Sequence, residues 1–109
     1  MVIAQGLKMT MLPTYEEFKS QLDKEFIINY EQNKPPKMLL LKKISPIESI
    51  GGGFSGFGMT FAALLGNGYL MQKQWLMKNE ALGDVSLFLV PAGPQGEFFE
   101  YNVTLTFKQ

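Results

Sequence analysis

The chain has 109 residues, ten acidic residues balanced by ten cations that are all Lys, and neither His nor Cys. The missing Cys excludes a disulfide framework and a thiolate metal site, and the missing His removes the commonest general base and metal ligand together. A zero net charge without Arg points away from nucleic acid, since guanidinium groups carry most bidentate phosphate and base-edge contacts.

One domain is the expected organisation at this length. Residues 1–12 (MVIAQGLKMTML) are apolar but interrupted by Gln5, Gly6 and Lys8. They lack the continuous apolar core and small-residue cleavage site of a secretory signal. No apolar run reaches the length of a membrane-spanning helix, so no membrane insertion is expected and cytoplasmic is the default. As a tail, Val2, Ile3, Leu7, Met9 and Met11 would all meet water. They are therefore read as a docking arm, in cis as an extra strand or in trans on a neighbouring copy.

Thr14 followed by Glu17 forms the letters of a capping box, and Glu16 and Glu17 suit the positive end of a helix dipole. Tyr15, Phe18 and Leu22 recur at helical spacing, which predicts a short helix over 14–22 lying on a sheet. Strands follow. Glu25–Tyr30 is β-branched and aromatic, Asn33 to Pro36 breaks it, and Lys37–Ile44 is the next strand. Gly51 to Gly56 reads as a flexible loop, and Met59–Leu65 fits strand or helix, with its short length favouring strand. After the turn at 66–68, Tyr69–Met77 alternates. Val85–Val90 is nearly all apolar, which predicts cover on both faces. Residues 91–96 (PAGPQG) read as a turn. The last strand places Phe99, Tyr101, Val103, Leu105 and Phe107 on one face and Glu100, Asn102, Thr104, Thr106 and Lys108 on the other.

This pattern defines a mainly β fold: a small antiparallel barrel or sandwich of about six strands with one short N-terminal helix. Residues 1–12 form an N-terminal arm or strand, and 13–109 a single β-rich domain.

From Pro13 to Phe107 the chain resembles a bacterial family of small uncharacterised β-rich domains, a domain of unknown function. The matching features are Phe18, Leu22 and Phe26, the strand from Met38 to Leu41, the run Phe57–Leu65, Gln72 near Trp75, and above all ALG-x(3)-LFLVP-x-G from Ala81 to Gly93. Gly66-Asn67-Gly68 stands where the family pattern often has an Arg-Gly-Pro-like stretch. The resemblance implies a β-rich fold and a gene setting sometimes shared with phage-tail-collar-like proteins. It implies no catalytic residue.

Several constellations invite chemistry. Gly51-x-Gly53-x-x-Gly56 has the letters of a dinucleotide loop, but the mechanism needs a following helix and an acid about twenty residues on. A turn explains it better. Asp84, Glu97 and Glu100 would suffice for glycoside hydrolysis only if brought together, and they read as solvated charge. No Ser has a His to activate it. Lys34, Lys37, Lys42 and Lys43 form a run without acids that suits an anionic surface or the guarding of a sheet edge. Tyr69, Met71, Trp75 and Met77 form an aromatic–methionine stripe, either core or a contact face.

No catalytic, cofactor or metal site is expected. The reading is a non-enzymatic structural or protein-interaction domain, self-associating or serving as subunit or accessory of a larger bacterial or phage-tail-like assembly. The competing class is a small barrel that binds an apolar ligand or a glycan near Trp75.

Overall fold

The computed structural model describes residues 12–29, 35–66 and 68–108. The arm residues Val2, Ile3, Leu7, Met9 and Met11, together with Lys34, lie outside the described residues. Among the described residues one helix, α1 (Tyr15–Lys19), precedes seven strands: β1 (Glu25–Ile28), β2 (Lys37–Ile44), β3 (Glu48–Gly51), β4 (Phe54–Leu64), β5 (Lys73–Asn79), β6 (Gly83–Gln95) and β7 (Phe98–Lys108). The order across the sheet is β2-β1-β5-β6-β7-β4-β3, and β2 also pairs with β4. That extra pairing closes six antiparallel strands into a barrel, with β3 left as a flap on β4. Barrel, rather than sandwich, is the outcome of the sequence reading.

The helix forms where its cap directs. The Thr14 hydroxyl accepts from the Glu17 amide, and the Glu17 carboxylate accepts from the Thr14 amide at 2.8 Å. The capping box is therefore complete. Phe18 drops from α1 into the core, and its ring and that of Tyr15 pack on Phe57. This plugs one mouth of the barrel, called here the helix end.

The connection from β4 to β5 crosses the other mouth. Its Leu70 is buried, and the Leu70 amide donates to the Tyr101 hydroxyl at 2.9 Å. Between the plugs, Phe26, Leu39, Leu41, Phe61, Met77, Leu87, Leu89 and Tyr101 fill the interior with almost no exposure. The lumen of this narrow barrel is a packed core.

Asn79 fastens the helix end. Its amide nitrogen donates to Gln21 Oε1 and to the Glu25 carbonyl, at 3.2 and 3.1 Å. Its Oδ1 accepts from the Ala81 and Leu82 amides. One side chain thus joins the residues after α1, the start of β1 and the β5–β6 turn, with all four of its hydrogen-bonding positions used.

Several sequence expectations are corrected. Residues 51–56 are not a flexible loop. Gly51, Gly52 and Gly53 turn with positive φ, and Phe54, Ser55 and Gly56 already belong to β4. Two consecutive positive φ values at Gly52 and Gly53 are what a tight hairpin turn of this hand requires. The turn at 91–96 lies later, at 96–97, because β6 runs on to Gln95. Val85–Val90 is not covered on both faces: Val85, Leu87 and Leu89 are buried, whereas Phe88 and Val90 are exposed. Tyr69–Met77 is not one strand, since β5 begins at Lys73. On β7, Tyr101 and Val103 are buried as expected, Phe99 and Leu105 are half-buried, and Phe107 is exposed.

The Asn79 network yields the first prediction. Asn79→Ala leaves part-buried backbone groups at Glu25, Ala81 and Leu82 without this partner and should cost about 1–3 kcal/mol in urea unfolding. A change below about 0.5 kcal/mol would show that these bonds do not fasten the helix end.

Candidate interaction surface

The surface is built from the ends of strands that meet at the mouth crossed by the β4–β5 connection. Three of the four stripe residues arrive there. The Tyr69 ring packs on Phe99 with centroids 4.6 Å apart, leaving Tyr69 63% exposed. Met71 is 68% exposed, and its carbonyl accepts from Trp75 Nε1 at 2.9 Å. The Lys73 ammonium lies 4.3 Å from the Trp75 ring centroid, a cation–π contact that keeps the half-buried indole oriented. Met77 does not join them: it is fully buried in the core. The reason is the start of β5. Trp75 and Met77 share the inner face of that strand, while Tyr69 and Met71 precede it in the connection.

Beside this cluster lies a groove of about 620 Å³ on the outer face of the barrel, lined by Pro36, Met38, Leu40, Ala62, Leu64 and Phe98 among others. Long-range register makes it. Leu40 stands opposite Ala62 across β2 and β4, and Leu64 stands opposite Phe98 across β4 and β7. These are outward positions, yet they carry apolar side chains, with Met38 45% and Leu64 49% exposed. The letters hold a signal that the reading missed. Met38-Leu39-Leu40-Leu41 is apolar on both faces of a strand whose inner face is already served by Leu39 and Leu41.

Lys37 is the ionisable residue of the groove lining. Its chain is buried, and its Nζ donates to the Gly68 carbonyl at 3.1 Å, tying β2 to the connection. Burial lowers its pKa from the ordinary 10.5. Tyr101 shifts upward, chiefly because it is buried; the Leu70 amide bond opposes the shift, and Tyr69 adds to it.

The remaining candidates do not converge. Asp84 opens β6 at the helix end, where it faces Lys78 at 3.9 Å, whereas Glu97 lies in the β6–β7 turn at the connection end. The lysine run is split as well: Lys37 is buried, and Lys42 pairs with Asp23 at 3.3 Å. The glycine-rich turn leads into β4, not into a helix. Among the described residues no cluster of three or more acidic groups could hold a metal ion, and no helix is long and apolar enough to cross a membrane.

A closed, core-filled antiparallel barrel with an apolar end is the class that fold and surface define. Residues 13–105 match the family described as domain of unknown function DUF6916, and the chain belongs to that family. No curated protein and no solved structure matches it.

Lys37 gives a pH prediction. Its folded pKa lies below its unfolded one, so between the two the unfolded chain binds more protons, and stability rises with pH up to about 10.5. Lys37→Met should flatten that rise in unfolding curves taken as the pH is raised toward 10.5. An unchanged slope would mean that another group produces it.

Proposed function

We propose that this is a non-enzymatic protein-interaction domain that engages its partner through the end of the barrel holding Tyr69, Met71 and the Met38–Leu64–Phe98 groove. The observation that carries the reading is the placement of exposed apolar side chains on strand positions that face away from the core. Met38, Leu64 and Phe98 line one apolar groove, and apolar surface gathered in this way is of the kind found at protein contacts. Tyr and Met also suit interface cores, the first through rigid amphipathic area and the second through easy repacking. Membership of a larger assembly, bacterial or phage-tail-like, belongs to this proposal and rests on the family resemblance alone. The ligand-binding alternative draws less support, because the interior is occupied by Phe26, Phe61 and Tyr101.

The test is site-specific photo-crosslinking in the producing cell. A photoreactive residue at Leu64 should give discrete protein adducts. The same residue at Thr104, an outward position on the polar waist, should give none. Equal labelling from both positions, or none from Leu64, would remove the proposal.

A further inference from the structure

We infer that residues 7–11 of this chain fold back in cis along the outer edge of β3 and turn Leu7, Met9 and Met11 into the cavity beside α1. This cavity lies at the helix end, so the inference stands apart from the interaction reading above, which concerns the connection end.

The cavity has a volume of about 470 Å³ and is lined by Leu12, Tyr15, Ile47, Phe57, Leu105 and Phe107 among others, with no Asp, Glu or Lys in its described lining. Ser55 stands one step beyond Phe57 along the same face of β4, opposite Ser49 on β3 and Phe107 on β7. It continues the inward row of Phe57, Met59 and Phe61, and it has no exposure at all. Yet Ser49 and Phe107 are exposed, and Ile47 is 43% exposed. A fully buried hydroxyl between exposed neighbours calls for cover laid over the sheet.

The occupant is read from where the described chain begins. Leu12 is itself part of the lining, so Met11 departs from the cavity wall. Eleven residues precede Leu12, and the last five alternate Leu7, Met9 and Met11 with Lys8 and Thr10. Extended, such a segment has one apolar and one polar face. The apolar face matches an uncharged lining, and the polar face meets water.

The backbone partner is β3. It stands last in the strand order and pairs with β4 alone among the described residues. Its other edge therefore offers backbone donors and acceptors to an added strand. A segment that starts beside Ile47 and runs back in number from Met11 passes antiparallel along Glu48–Gly51. Five residues of strand span roughly 17 Å, enough for the four residues of β3. The tether decides between cis and trans. One peptide bond joins Met11 to the cavity wall, and a tether this short gives an effective concentration in the millimolar range. A second copy at lower concentration does not compete.

The chain has no Cys, so introduced thiols report without background. In the full chain, alkylation rates are taken relative to those in urea. The Met9→Cys thiol should react at least tenfold more slowly than the Lys8→Cys thiol. Adding Ile47→Asp to Met9→Cys should raise its rate to that of Lys8→Cys, and Phe107→Asp should do so from the opposite wall. Both replaced side chains are exposed, so circular dichroism should show the barrel intact in each. Protection of Met9→Cys should be unchanged on hundredfold dilution. Equal rates for Met9→Cys and Lys8→Cys overturn the inference, as does protection that survives both Asp substitutions. Protection lost on dilution overturns the cis arrangement and assigns the cavity to the segment of a second copy.

Discussion

The pairing of β2 with β4 is the constraint from which the rest of the structure follows. Without it the seven strands would be an open sheet with a free edge on β2. With it, four cross-strand pairs from Leu40–Ala62 to Ile44–Met59 close the barrel. Closure demands a bend, and the register slips between Leu41 and Lys43 to supply it. The extra residue, Lys42, turns outward to Asp23, whose own backbone adopts φ 65° and donates to the Leu41 carbonyl at 2.7 Å. The segment between α1 and β1 is thus fastened to the bulge that closure creates.

A closed barrel of six strands is too narrow for anything but side chains. That moves function to the outside and the ends. The two plugs differ in kind. The helix end is closed by an aromatic from a capped helix and fastened through Asn79. The other end is closed by irregular chain, held by one buried phenol and by the bond from the Leu65 amide to the Glu97 carbonyl at 3.0 Å. Regular structure leaves little room for adaptable apolar residues, and irregular chain presents Tyr69 and Met71 readily.

Local chemistry made part of this legible in the letters. The capping box and the strand from Lys37 to Ile44 depend on neighbours in sequence and stand where expected, and the alternation of β7 holds at Tyr101 and Val103 but fades by Phe107, which is exposed. Elements governed by distant partners did not read so well. Pro91 and Pro94 look like a turn, yet β6 continues through them because its pairing with β5 ends at Leu89. Beyond that point β6 pairs with β7 alone, so a residue without an amide hydrogen is tolerated on the side away from β7. β3 was missed because Glu48–Gly51 is short, fully exposed and ends on the first of three glycines. At the candidate surface, Tyr69, Met71 and Trp75 could be named from composition. The groove could not, because the Leu40–Ala62 and Leu64–Phe98 neighbours exist only once the barrel has closed in this register.

Trp75 is the chain's single tryptophan. It stands at the connection end with an ammonium over its ring and its indole nitrogen bonded to Met71. Its emission is therefore an intrinsic, label-free reporter of that end of the molecule. Any occupant that displaces Lys73, repacks Met71 or excludes water from the indole alters the fluorescence, and no second indole contributes a background from the helix end.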